Sequence, residues 1–376
     1  MNPSDALAAV THADPYPYYT ELAAQDGLVF DPALGLWIAA SAASVAAVLT
    51  HAACRVRPLS EPVPAALAGT PAGQIFGDLI RMNEAPRHTQ PRLALQRALT
   101  AVDLSAARQR AGDIASRAWR DDGLAAWMFE VPVATMASLI GFSEQQLPAL
   151  TAWMADFVAC LSPLTLSHGG QIERAQEAAA RLLDSFKSLL QVTPAQRRPG
   201  SLLALVCSEA QIVGWNNADA LLANLVGLLS QTYEATAGLI GNSIVALMRE
   251  PEEERAQSPD AAVLVQMVSR FDPPVHNTRR YTSQTARFGD VHVPAGQTIL
   301  VLLAAANRDR QAAGRVFGFG YGPHTCPGHA LACAIAAGAL ERLLMLAPIW
   351  QRGLSWTYRP SLNVRMPAFT QTLDAA

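Results

Sequence analysis

The sequence predicts a mainly α-helical protein with a minor β-sheet region. Apolar residues recur at helical spacing along most of the chain, in alanine-rich stretches. Strand-like runs, bounded by glycine, proline and aspartate, are confined to 28–38 and 279–301. Hydrophobic residues make up 51% of the 376, so a large core can be filled, and no linker or composition shift divides the chain; a single domain over 1–376 is expected.

Pro15-Tyr-Pro-Tyr-Tyr19 leads into a short helix, then strand-like pieces near 28–31 and 34–38 and a helix from Ser41 to about Thr50. Proline and glycine between Pro58 and Gly73 predict a loop. Helices are expected near 92–100, 104–121, 124–141, 144–162 and 170–191, with Pro194 to Gly200 as a connector. A long helix is expected from about 209 to 249, and a short one over 260–270 before Asp272-Pro273-Pro274. Strands return at 279–301, with turns at Gly289-Asp290 and Pro294-Ala295-Gly296. The last helix covers about 328–346, and strand or irregular structure closes the chain.

Composition excludes several classes. A net charge of −3 argues against a general nucleic-acid binder. Five cysteines (54, 160, 207, 326, 333) are odd in number and scattered, with neither zinc-ligand spacing nor a disulfide framework, which fits a reducing cytoplasm. Pro32 to Cys54 carries no Asp, Glu, Lys or Arg, but its serines, threonine and strand-like opening argue against a membrane span. Residues 1–14 show neither a basic n-region nor an apolar h-region, so no signal peptide is expected.

The most informative stretch is Phe319-Gly-Tyr-Gly-Pro-His-Thr-Cys326-Pro-Gly-His-Ala-Leu-Ala332. Gly320 and Gly322 allow tight turns and close approach to a flat ligand. Phe319 offers an aromatic face, and Gly328 removes a Cβ where a macrocycle needs room. Cys326 sits where a helix begins, so free N–H groups and the helix dipole favour its thiolate. Two further features stand out. From Ala220 to Met248 the only charged residue is Glu234, and a lone carboxylate in an apolar helix must be neutral, paired or hydrated. His88 and Arg92 stand four apart, on one helical face.

The cysteine string closely resembles the haem-ligand loop of cytochromes P450, F-x-x-G-x-x-x-C-x-G-x-x-L-A, and the resemblance covers almost the whole chain. It implies the P450 fold, haem b, and Cys326 as axial thiolate to its iron, with Phe319, Gly320 and Gly328 around the ring. Glu84-Ala-Pro-Arg-His88-Thr-Gln-Pro-Arg92 resembles the family's D-P-P-E-H-T-x-x-R segment, which implies that His88 and Arg92 bind haem propionates. Arg280 and His324 match the family's remaining propionate ligands, and the four positions agree in order along the chain. The string Leu228 to Asn242 resembles the distal helix, usually A-G-x-E/D-T-T before a tail like L-I-G-N. Glu234 then matches the proton-relaying acid, Gln231 and Thr232 replace the two small residues, and Ala235 replaces the alcohol.

Two more departures go together. Met267-Val-Ser-Arg270 stands where the family carries E-x-x-R, and the meander between Ala306-Asn-Arg-Asp309 and Phe319 is cut short. The glutamate and its usual target are lost as a pair.

The resemblance implies a bacterial-type monooxygenase that oxidises a small, mainly apolar organic substrate with O2 and electrons from a ferredoxin and its reductase. Glu234 would relay protons, with Thr232, Gln231 or a substrate hydroxyl replacing the missing alcohol. Ala235 and Met267 also keep open a haem-thiolate enzyme without normal O2 activation (peroxide-driven oxidation, rearrangement or dehydration), or a non-catalytic haem protein that recruits a carrier-protein or enzyme partner. Segments 58–82 and 150–190 would line the substrate pocket, with few polar anchors.

Overall fold

Strand Thr298–Leu302 explains why a small sheet exists in this helical chain. Its side chains alternate between two apolar cores: Ile299 and Val301 enter one, Leu300 and Leu302 the other. A strand buried on both faces must be central. In the computed structural model it is β7 of a five-stranded sheet ordered β1-β2-β7-β4-β3. The strands are β1 (Leu28–Asp31), β2 (Leu36–Ala39), β3 (Cys54–Arg55) and β4 (Asn277–Thr282) beside β7. β2 runs parallel to β7, and the other pairs are antiparallel. The structure describes residues 2–25, 27–120, 123–159, 161, 169–251, 260–346 and 353–371.

The chain sorts into two units, each assembled from separate segments. The first holds 1–62, 241–326 and 352–376. Besides the sheet it contains α1 (Tyr16–Ala23), α2 (Ala42–Thr50), α11 (Ala261–Phe271), α12 (Leu303–Arg308), the hairpin β5 (Ala286–Phe288) with β6 (Val291–Val293), and the pair β8 (Leu354–Tyr358) with β9 (Pro367–Gln371). The second unit, 63–240 and 327–351, is helical. It holds α3 (Pro71–Asp78), α4 (Thr89–Thr100), α5 (Leu104–Ala118), α6 (Leu124–Ile140), α7 (Leu147–Ala159), α8 (Gly169–Gln191), α9 (Leu202–Ile212), most of α10 (Ala218–Arg249) and α13 (His329–Met345). α5 and α13 approach closely at Gly338, where a Cβ would lie 2.0 Å from the Arg108 carbonyl oxygen. Arg108 then pairs with Glu341 through one guanidinium edge, Nε and Nη2 each donating to a carboxylate oxygen.

The expected helix–sheet order is borne out, with two corrections. The long helix expected from 209 to 249 is two helices. Gly214 takes φ +71°, and the Trp215 N–H returns to the Ala210 carbonyl at 2.8 Å, which ends α9. Asn217 Oδ1 then accepts the Ala220 N–H at 2.9 Å and starts α10. The loop expected through Gly73 gives way earlier, because Thr70 caps α3 on the Gly73 N–H and Pro71 sits at its first position. Residues 160 and 162–168, within the expected helix 144–162 and pocket segment 150–190, lie outside the described residues.

The altered E-x-x-R region has its own solution. Met267 is 43% exposed, and Arg270 Nε is buried without a hydrogen-bond partner. Asn307 ties the end of α11 to the turn at Phe317: its Nδ2 donates to the Arg270 carbonyl (3.0 Å), and its Oδ1 accepts the Phe317 N–H (2.5 Å). One asparagine thus bridges α11 and this turn. Beside it lies a buried ion pair. Arg365, 0% exposed, donates from Nε to Asp272 Oδ1 (3.1 Å), from Nη1 to the carbonyls of Val10 (3.1 Å) and His12 (2.6 Å), and from Nη2 to that of Ala13 (3.0 Å). Its guanidinium lies 3.5 Å from the Tyr358 ring centroid, and Tyr16 donates its hydroxyl to Asp272.

His276 is fully buried near this pair. Its Nδ1 meets the Tyr19 hydroxyl at 2.9 Å, and its Nε2 has no partner among the described residues. Burial, then the nearby Arg365 and Arg308 cations, hold its pKa well below the ordinary 6.5. The folded-state pKa is therefore below the unfolded one. Its contribution is fully present above about pH 6.5 and is lost as pH falls, because the unfolded chain takes up the proton first. The urea midpoint is expected to drop between about pH 7 and pH 5, with a shallower drop in His276→Gln. Equal slopes in the two proteins would reject this assignment.

Candidate active site

In the first unit, the cysteine loop consists of two successive tight turns. Phe317–Phe319 forms one 3-10 turn, and the Gly320 N–H closes on the Phe317 carbonyl at 2.7 Å. Gly320 takes φ +77°, and a Cβ there would lie 2.8 Å from the His324 carbonyl oxygen. Gly322, at φ +69°, opens the second turn, Gly322–His324, and its Cβ would meet Thr50 Cγ2 at 2.7 Å. Glycine is thus required at both places by backbone sign and by space. The Thr325 N–H and hydroxyl both bond the Gly322 carbonyl, at 3.1 and 2.8 Å. The Cys326 N–H returns to the Phe319 carbonyl at 2.7 Å. Cys326 is thereby pinned opposite Phe319, with both side chains partly open. The helix after it, α13, starts past Gly328, three residues beyond the sulfur.

The same unit places His324, half-buried, on this loop, and Arg280 on β4, opposite Ile299 of the central strand β7. Arg280 is 6% exposed, with Nη1 on the Arg279 carbonyl at 2.9 Å. In the second unit His88, 8% exposed, precedes α4, and the Arg92 N–H bonds its carbonyl at 2.9 Å. The two therefore lie one helical turn apart, as their spacing requires.

α10 separates the three expected distal residues. Gln231, Glu234 and Ala235 lie on its open face, Gln231 and Glu234 exposed and Ala235 partly so. Thr232 is buried, and its hydroxyl donates to the Leu228 carbonyl at 2.7 Å. It therefore turns away from Glu234, as does buried Thr236. Gln231 Nε2 donates to the Gly227 carbonyl at 3.0 Å.

Sequence reasoning did not consider Arg81, on the 3-10 turn Ile80–Met82, which the structure brings into the field of Glu234. Burial lowers its pKa, offset by the field of Glu234. The sequence signal was its isolation, since it is the only cation between Arg57 and Arg87.

The residues suit a haem by their chemistry. A cysteine is displayed on a glycine loop too tight for Cβ atoms, and buried His88 and Arg280 are cationic or neutral donors fit for carboxylates. No protein-family model matches the chain. Over 290 residues it is 29% identical to cytochrome P450 107B1 of Saccharopolyspora erythraea, covering 70% of this chain and 69% of that one. It is 27% identical over 292 residues to the cytochrome P450 monooxygenase PikC of Streptomyces venezuelae, with 71% and 68% covered. Its fold matches P450BioI, solved with an acyl-chain-bearing acyl carrier protein, at a TM-score of 0.75 and 21% identity, covering 94% of this chain and 97% of that one.

Proposed function

The chain belongs to the cytochrome P450 family, and on that premise we propose that it inserts an oxygen atom into a small, mainly apolar organic substrate, with electrons from a ferredoxin-type partner. It is a haem-thiolate oxidoreductase, and its cofactor is haem b. The loop that pins Cys326 with two glycine turns carries the reading. Bound haem supplies iron whose thiolate ligand favours O–O cleavage.

The chain's own residues divide the remaining work. Cys326 Sγ gives the thiolate, with Phe319 and Gly320 shaping the loop that carries it and Gly328 two residues beyond. His88, Arg92, Arg280 and His324 hold propionates by charge-assisted hydrogen bonds. The Glu234 carboxyl passes a proton to the distal side, and the Gln231 amide shares its face. Thr232 supports the helix through its bond to Leu228 rather than reaching that face. A carrier protein is a further candidate partner, suggested by the likeness to the carrier-bound P450BioI. None of the described helices is long and apolar enough to cross a membrane, and we place the enzyme in the cytoplasm.

Two substitutions test the distal side. Glu234→Gln is expected to slow product formation by roughly ten- to a hundredfold, the low end for loss of a general acid, with substrate affinity little changed. Ala235→Thr, which adds an alcohol next to Glu234 on the open face, is expected to give more product and less peroxide per electron pair. NADPH consumption with a surrogate ferredoxin and reductase reads both. If peroxide alone drives full turnover of the wild type and Ala235→Thr is inert, the chemistry is peroxide-driven instead.

A further inference from the structure

Asn307 stands between the end of α11 and the start of the cysteine loop. It is 2% exposed, and both ends of its amide are used. Nδ2 donates to the Arg270 carbonyl at 3.0 Å, and Oδ1 accepts the Phe317 N–H at 2.5 Å. The first bond satisfies one of the carbonyls that the last turn of α11 leaves open. Its neighbour Arg308 does the same for Phe271, donating from Nη2 at 3.0 Å. Two residues therefore tie α12 to α11, but of the two Asn307 continues into the loop.

What it holds there leads on to the sulfur. The Phe317 carbonyl accepts the Gly320 N–H at 2.7 Å and closes the first turn. The Phe319 carbonyl, in that same turn, accepts the Cys326 N–H at 2.7 Å. Packing seats the turn as well. The Phe317 ring is buried in the core, and a Cβ on Gly318 would lie 3.0 Å from Pro273 Cβ, just past α11. Apolar contact is non-directional, however, whereas a hydrogen bond prefers a set angle. The Asn307 amide therefore fixes the tilt of the peptide from which the loop to Cys326 starts.

We infer that Asn307 is a positioning residue for the thiolate: by holding the Phe317 N–H it sets where the loop presents Cys326 Sγ to the haem iron. The inference rests on the haem-thiolate reading above. Without Asn307, the Phe317 N–H loses its partner in a buried place, so the first turn must shift or take in water. Either change moves Phe319, and with it the Cys326 backbone bonded to its carbonyl. Only the deprotonated sulfur ligates a metal, so a sulfur set off its place is protonated and released more easily.

The test separates the loop tie from general stability in the haem-loaded protein. It reads the rate at which the thiolate-type reduced, CO-bound band converts to the thiol type, beside the urea midpoint. Asn307→Ala and the similarly sized Asn307→Leu remove both bonds, and either serves if the other does not fold. Asn307→Asp keeps an oxygen for the Phe317 N–H but sets a buried carboxylate against the Arg270 carbonyl, so its urea midpoint should be no higher than theirs. Arg365→Met breaks the buried pair with Asp272 in the same unit and removes none of the loop's bonds. Conversion is expected to be about tenfold or more faster than wild type in Asn307→Ala and Asn307→Leu, as loss of a buried partner implies. In Asn307→Asp and Arg365→Met it should stay within about threefold, despite their lower midpoints. A wild-type rate in Asn307→Leu or Asn307→Ala overturns the assignment. So does conversion in Asn307→Asp or Arg365→Met as fast as in those two, because the band then follows stability alone. Absence of the thiolate-type band in wild type would instead count against the haem-thiolate reading itself.

Discussion

Cys326→Ala is expected to lose the thiolate-type reduced, CO-bound absorption band completely while the protein remains largely helical. The loop explains both halves of that result. Its shape is set by backbone groups: the Gly320 and Gly322 conformations, the Gly320 N–H on Phe317, and the Cys326 N–H on Phe319. None of these needs the sulfur, and alanine tolerates the same backbone, so the fold should survive the change. What would disappear is the loop's one sulfur and, on the proposed haem-thiolate reading, electron donation to the iron. Cys333 and Cys207 serve as controls. Both are half-buried cysteines within helices, α13 and α9. Their alanine variants should keep the band. A band unchanged in Cys326→Ala would refute the ligand assignment.

That loop was legible because everything that shapes it is local. Its glycines, its cysteine and the helix start fall within fourteen residues, and positive φ at Gly320 and Gly322 follows from chemistry that each residue carries alone. Helices were legible for a similar reason, since a buried face imposes a period. The break at Gly214 was also local, but the apolar pattern on either side of it outweighed one glycine. Glu234 announced itself as the single charge between Ala220 and Met248, whereas its face had to be seen. The periodicity that puts Gln231 beside it also turns Thr232 away, onto the Leu228 carbonyl. The turn at Ile80 was out of reach because Asn224, 144 positions later, holds it. No string around Ile80 encodes that clamp. The tie between α11 and the turn at Phe317 is likewise non-local, since Asn307 reaches the Arg270 carbonyl across 37 positions.

The same distance dependence makes Arg365 the most consequential buried charge in the first unit. Arg365→Met is expected to destabilise the protein by about 3–5 kcal/mol, the range for breaking a buried pair from one side. The methionine fills much of the volume, so the loss is chiefly polar. It leaves Asp272 with only the Tyr16 hydroxyl and its field partners, and it frees the carbonyls of Val10, His12 and Ala13. Those three carbonyls belong to the segment just before α1, so its release should expose a cleavage site there in limited proteolysis before the rest unfolds. Arg365→Met with Asp272→Asn should recover part of the loss, because the lone buried carboxylate is then gone while the carbonyls stay unpaired. Urea midpoints of the three proteins read the energies. A loss under about 1 kcal/mol in Arg365→Met, with the N-terminal segment still protected, would mean that the pair is dispensable. The expected result means that this contact anchors the segment before α1 by joining residues 10–13, 272 and 365.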